Sequence, residues 1–174
     1  MFNVSKVVNQ LGLKEGDHVA DLGSGIGHFS IPIAKKVGTT GVVYSVDVHR
    51  DILTRLTNDA KDQGLSNIQT IWGDIESPGG THVKDSSVDI VLFVNILFQL
   101  HNRPHALREA IRIAKNGGRI AVVDWHDNFL IGPTKDKRFS LDELKKLFEH
   151  FGLVLVKDIS VGSYHYGMIF KKEV

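Results

Sequence analysis

Three glycines at alternate positions, Gly23, Gly25 and Gly27, follow directly on an apolar run that carries an acid, Val19-Ala20-Asp21-Leu22. Glycine lets a backbone bend sharply and come close to a ligand, because no Cβ occupies the space. About twenty residues further on, a second apolar run, Val42-Val43-Tyr44-Ser45-Val46, ends in Asp47, and a strand-end carboxylate at that distance can reach the two hydroxyls of a ribose. The spacing is G-x-G-x-G with His28 following, not the G-x-G-x-x-G that wraps a pyrophosphate. Asp21 would repel a pyrophosphate and suits a cationic ligand. No Gly-Lys-Ser/Thr follows, so a phosphate-cradling P-loop is excluded. The chemistry on offer is capture of a nucleoside that carries positive charge.

The elements that must position these residues alternate along the chain. Ser5–Leu11 reads as a short helix, Val19–Asp21 as a first strand and Gly27–Val37 as the helix after the glycine bend. Val42–Val46 is a second strand, Asp51–Gln63 a helix capped by Gly64, and Ile68–Trp72 a third strand. Ser77-Pro78-Gly79-Gly80 predicts a turn, leaving no room for a long helix before the strand Val88–Val94. Pro104 suits the first turn of a helix running to Lys115, followed by a strand at Ile120–Val123. Ser140-Leu141-Asp142-Glu143 is a capping box opening a helix to Phe151, and Val154–Ile159 and His165–Phe170 are the last strands. Strand–helix alternation predicts an α/β sandwich with a mostly parallel sheet covered on both faces.

Composition bounds the class. A chain of 174 residues with 42% hydrophobic and 24% charged content fits one soluble domain. The expected organisation is a single domain over 1–174, with 1–17 as a short N-terminal helical segment. A formal net charge of +1 gives no strong field for nucleic acid or an anionic membrane. The absence of cysteine excludes disulfides, thiolate metal sites and cysteine nucleophiles. No basic-then-apolar leader is visible and the run Val88–Leu100 is too short to span a bilayer, so the expectation is a cytoplasmic protein without membrane insertion.

The stretch from Asp21 to Gly27 resembles motif I of the class I S-adenosylmethionine-dependent methyltransferases. Trp72-Gly73-Asp74-Ile75-Glu76 is similar to that family's G-D-A-E element, and Leu107-Arg108-Glu109-Ala110 through Gly117-Gly118-Arg119 to its helix-to-strand turn, with Asn116 where proline is usual. The likeness covers nearly the whole chain, and its ending is similar to small ubiquinone/menaquinone-type members. It implies a Rossmann-like three-layer sandwich, a seven-stranded mostly parallel sheet whose last strand is antiparallel and inserted between the fifth and sixth. It implies S-adenosyl-L-methionine as cofactor, held by Asp21, Gly23, Ser24, Gly25, Gly27, His28, Asp47, Val48, Asp74, Ile75 and Asn95. Asp47 would take the ribose and Asp74 the adenine amino group. Asp21 and the backbone of Gly23, Gly25 and Asn95 would meet the methionine part. The implied reaction is in-line methyl transfer to a small-molecule acceptor, with Asn95 and His126 as catalytic candidates.

Each assignment has a plainer counterpart. Asp47 and Asp74 are also ordinary turn residues, Asp21 a structural carboxylate for loop amides, and His126 a surface histidine. His101 and His105 are four apart, but Pro104 between them marks a helix start, so a solvated loop is the better reading than a metal face. Arg138 is a candidate for an anionic substrate or a solvated arginine. Phe98 stands where the family often has histidine, removing one general base. The long segment His126–Phe139 is expected to form part of the substrate wall. The few residues before the first strand leave Phe2–Leu11, a homodimer partner or a large substrate to cover the cofactor. Two rivals remain at this level: a cofactor-binding module acting as sensor or partner subunit, and an NAD-linked oxidoreductase, which the glycine spacing disfavours.

Overall fold

The computed structural model describes residues 3–127 and 132–173. Phe2 and the 128–131 part of the expected substrate wall lie outside the described residues. Seven strands form one sheet: β1 His18–Leu22, β2 Val42–Asp47, β3 Ile68–Trp72, β4 Val88–Val94, β5 Ala114–Trp125, β6 Leu153–Ile159 and β7 His165–Lys172. Their order across the sheet is β3-β2-β1-β4-β5-β7-β6. The pairs among β1 to β5 are parallel, and β7 runs antiparallel to both β5 and β6. This is the expected sandwich, including the inserted last strand.

Among the described residues five α-helices cover it: α1 Val4–Gln10, α2 Ser30–Val37, α3 Arg50–Asp62, α4 Arg103–Ile113 and α5 Leu141–His150. Strand alternation sorts the core into two layers. Val19, Val43, Ile90 and Leu92 meet Val7 of α1, Leu11 just after it, and Ile33 and Val37 of α2 on one face. Ala20, Leu22, Val91, Phe93 and Val122 meet Ala106, Leu107, Leu144 and Phe148 of α4 and α5 on the other. Asp21 and Trp125, by the same alternation, belong to the α1/α2 face and Asp124 to the α4/α5 face, where His126, just past β5, packs on Tyr166.

Beyond shifts of one or two residues at several ends, boundaries differ from expectation at the start of α2 and at the passage from α4 into β5. The helix after the glycine bend begins at Ser30, not Gly27, because Gly25 and Gly27 sit at φ 53° and 85°, outside the helical region. Helix α4 ends at Ile113, not Lys115, and β5 begins at Ala114. Val88 pairs with Ala114 and Ile90 with Arg119, so Lys115–Gly118 bulge out of the ladder. Gly117 takes φ 74° there, and a Cβ on Gly118 would lie 2.7 Å from the Lys115 carbonyl oxygen. The Ser140–Glu143 capping box is present as expected, with both reciprocal bonds made.

Candidate functional site

The glycine bend leaves the carboxyl end of β1 and is stitched to β2. The N–H groups of Gly23 and Ser24 both donate to the Val46 carbonyl, at 2.8 and 3.0 Å. All three glycines have positive φ, but their surroundings separate their roles. A Cβ on Gly23 would meet Ile96 at 2.6 Å, and one on Gly27 would meet Leu56 at 2.2 Å. A Cβ on Gly25 would meet nothing within 4 Å. Gly23 and Gly27 are therefore packing glycines, and Gly25 is the one whose bare backbone faces open space.

That space belongs to a cavity of about 420 Å³ at the ends of β1, β2 and β3, lined by Gly25, Asp47, Val48, Asp74, Ile75 and Ile96 among others. Asp47 Oδ2 accepts from the Gly25 N–H at 2.9 Å, and Oδ1 accepts from the His49 N–H at 3.0 Å with His49 Nδ1 at 2.9 Å. Asp47 thus ties the second strand to the bend and still reaches the cavity. Val48 is exposed at the rim, while Ile75 is buried and backs the cavity with core packing. Asp74 is exposed; its Oδ1 accepts from the Glu76 N–H and its Oδ2 from Ser77 Oγ.

The loop behind Asp74 is held from beneath. Buried Glu109 of α4 accepts from the N–H groups of Gly79 and Thr81, from Thr81 Oγ1 at 2.6 Å and from Arg112 at 2.6 and 2.8 Å. Burial disfavours its charge, but Arg112, Thr81 and Gly79 together outweigh that and hold the carboxyl down at about 2.

A second cavity of about 500 Å³ adjoins the first, on the α1/α2 face. Gly23 and Asn95 line both. Asp21 lines the second; it is 2% exposed, and its Oδ2 accepts from Ser30 Oγ at 2.6 Å, which in turn accepts from Ser45 Oγ at 2.8 Å. Burial raises the Asp21 carboxyl to about 6 against the opposing pull of Ser30, and the neighbouring Asp47 charge adds to the rise. Asn95 sits at φ 52°, a left-handed conformation that asparagine tolerates better than most residues. Its N–H donates to Val123 and its carbonyl, expected to meet the ligand, accepts from Gln99 Nε2 at 3.0 Å. Ser24 Oγ and Asn95 Oδ1 are buried with no hydrogen-bond partner among the described residues.

His28 is exposed at the rim of this second cavity. His126 is not among the residues that line it. Its ring packs edge-on against Tyr166 at 5.5 Å and lines a different depression with Leu141, Lys145 and Tyr166, which His165 also borders. Besides His28, the histidine brought to the cavity is His165, against Trp125. No local sequence signal marks the Trp125–His165 pair, which meets only through the β5–β7 ladder. The signal for Ser30 and Ser45 was two hydroxyls within otherwise apolar elements.

Arg138 donates to the Pro133 and His126 carbonyls, at 2.6 and 2.8 Å, pinning its own loop. Phe98 follows Leu97 in the 3₁₀ turn Leu97–Gln99; the N–H groups of Leu97 and Phe98 face buried Asp124, whose carboxyl burial raises to about 6. The His101 side chain is 97% exposed and His105 approaches the Glu76 carbonyl. No cluster able to hold a metal ion occurs among the described residues, and no helix among them is long and apolar enough to cross a membrane.

Residues 13–152 match the model of a methyltransferase domain family. The chain is 33% identical over 106 residues to aklanonic acid methyltransferase DauC of Streptomyces sp. strain C5, covering 61% of this chain and 47% of that protein. It is 30% identical over 123 residues to a demethylmenaquinone methyltransferase of Staphylococcus aureus, covering 68% of this chain and 47% of that protein. The chain thus spans about half the length of the curated relatives it matches. Among solved structures, a SAM-dependent methyltransferase from Aquifex aeolicus superimposes with a TM-score of 0.88 at 27% identity, over 98% of this chain and 89% of that one. The chain belongs to the class I S-adenosylmethionine-dependent methyltransferases.

Proposed function

We propose that this methyltransferase-family chain binds S-adenosylmethionine across the two joined cavities and passes its methyl group to a small-molecule acceptor. The observation that carries the reading is the junction at Gly23 and Asn95, with a ribose-type carboxylate, Asp47, on one side and a carboxylate suited to cations, Asp21, on the other. Open space at Gly25 and two buried polar atoms without partners among the described residues, on Ser24 and Asn95, fit a ligand there. When bound, the cofactor supplies an activated methyl on a sulfonium. Asp47 would hold the ribose hydroxyls, Asp74 and Ile75 the adenine, and Asp21 and Asn95 the amino-acid end. His28 and Val48 would form the rims.

The chain's work is alignment of acceptor and methyl and exclusion of water, worth up to roughly 7–11 kcal/mol. The relatives named above act, by their names, on aklanonic acid and demethylmenaquinone, which supports a small organic acceptor and no nucleic-acid partner. The reading places one such domain over the whole chain, in the cytoplasm. Homodimerisation is kept as the arrangement in which a second copy covers the mouth beside Val4, and sedimentation velocity decides it. The central test is calorimetry with S-adenosylmethionine and S-adenosylhomocysteine on wild type and Asp47→Ala. The variant should bind about 1.5–3 kcal/mol more weakly, having lost charged hydrogen bonds; equal affinity would remove the ribose assignment.

A further inference from the structure

We propose that His165, held against Trp125, accepts the proton of a hydroxyl-bearing acceptor in the larger cavity. The proposal rests on the methyltransferase reading above and adds a catalytic residue to it. In the β5–β7 ladder Trp125 is the register partner of His165, so both side chains leave the same face of the sheet as Asp21. Their ring centroids lie 4.0 Å apart with planes inclined by 41°. His165 is 5% exposed and lines the cavity together with Trp125, Phe29 and Val94. This wall is apolar and aromatic except for one imidazole. An acceptor with a flat apolar body fits against it, and a hydroxyl on that body meets the imidazole.

The other titratable groups at this cavity are differently placed. Asp21 is bonded to Ser30 beside the bend, and His28 stands exposed at the rim. Burial draws the His165 imidazole down to about 4, with His126 also opposing its charge, so it is neutral and able to accept a hydrogen bond at neutral pH. A weak base suffices here, because a hydroxyl oxygen becomes strongly acidic as it gains a methyl group. A lone pair of that oxygen forms the new C–O bond while the C–S bond breaks. The C–S electron pair stays on sulfur, leaving a neutral thioether. The hydroxyl proton passes to the imidazole and then to water, and no other reactant is required.

The test uses 2-naphthol and its methyl ether, 2-methoxynaphthalene, as probes on protein saturated with S-adenosylhomocysteine, by calorimetry. Wild type should bind the naphthol roughly five- to tenfold more tightly than the ether, the worth of one buried hydrogen bond. His165→Phe should abolish the preference, and His165→Gln should restore part of it through the amide oxygen. S-adenosylhomocysteine affinity within about twofold of wild type, the size of an effect that leaves binding unperturbed, certifies each variant as folded. Should His165→Phe fail to fold, the ¹⁵N resonances of the wild-type His165 ring carry the test: naphthol must move the accepting nitrogen toward the hydrogen-bonded value, and the ether must not. Equal binding of the two probes, binding of neither, a preference that survives His165→Phe, or an unmoved ¹⁵N resonance overturns the assignment. If wild type binds S-adenosylhomocysteine but shows no naphthol preference, only the role of His165 fails. If it does not bind S-adenosylhomocysteine at all, the proposed function fails first.

Discussion

The two cavities are built on different principles although they share Gly23 and Asn95. On the Asp47 side, carboxylates are already engaged by the chain: Asp47 by Gly25 and His49, Asp74 by Glu76 and Ser77. On the Asp21 side, the wall is aromatic, one carboxylate is drawn toward its neutral form, and Ser24 and Asn95 hold buried oxygens with no bond among the described residues. The first region is preorganised by local hydrogen bonds within a few residues of each strand end. The second is assembled from residues of α1, β1, β4, β5 and β7 and the glycine bend, and the Ser24 and Asn95 oxygens are left without a bond among the described residues. Preorganisation lowers the ordering cost of binding, so the first region should set affinity and the second should set which acceptor reacts.

The sharpest way to break this division is at the bend. Gly27→Ala puts a methyl 2.2 Å from Leu56 at a backbone φ of 85°. It should destabilise the fold by about 2–4 kcal/mol through overpacking and backbone strain, read by urea unfolding without ligand. Next in size is Glu109→Gln, which weakens the support of the 79–81 loop. A neutral amide cannot match the charge-assisted bonds from Arg112, and the loss should be about 1.5–3 kcal/mol, accompanied by weaker S-adenosylhomocysteine binding if the loop backs the adenine.

Asp21 gives a pH test with a defined sign. Its folded carboxyl titrates near 6, above the ordinary 3.8, so the fold favours the protonated form. Stability is therefore lost as pH rises from about 4 through about 6, and the full penalty stands at pH 8. Asp21→Asn should raise stability at pH 8 by about 1–3 kcal/mol and change it little near pH 4, by thermal melts at both pH values. The same carboxylate, set beside the ligand's ammonium group, predicts affinity for S-adenosylhomocysteine that rises between pH 5 and 7 in wild type and stays level in the variant. A wild-type affinity independent of pH would detach Asp21 from the amino-acid end.

Smallest in stability is Gly25→Ala. Nothing lies within 4 Å of the added methyl, so only the φ of 53° opposes it, about 1–2 kcal/mol. Ligand affinity should fall by roughly tenfold or more, since the methyl enters the space left for the nucleoside. The contrast with Gly27→Ala separates a cradle glycine from a packing glycine. If Gly25→Ala binds as wild type does, the nucleoside does not lie against the bend.

What sequence made legible was local. The glycine spacing, the strand-end acid Asp47, the Ser140 capping box and the alternation of elements each depend on neighbours in the chain, and each is present. The start of α2 was misplaced because the helical apolar pattern runs back to Gly27, while positive φ at Gly25 and Gly27 delays the first turn. The long-range buttress of Glu109 under Gly79 and Thr81 carries no local signature, since those partners lie thirty and twenty-eight residues away in the chain.

The sequence by itself determined the class of fold, the acid-flanked glycine bend and the strand end that answers it, because periodicity and backbone freedom are properties of short segments. It could not determine which of two neighbouring residues, Trp125 or His126, looks into the cavity. Trp125 ends β5 and His126 follows it, and the face that holds the cavity is set by where α1 and α2 pack. Nor could it bring His165 beside Trp125. That juxtaposition exists because β7 runs antiparallel against β5 across forty residues of chain, a pairing fixed by burial of both faces of the sheet and written in no single stretch of sequence.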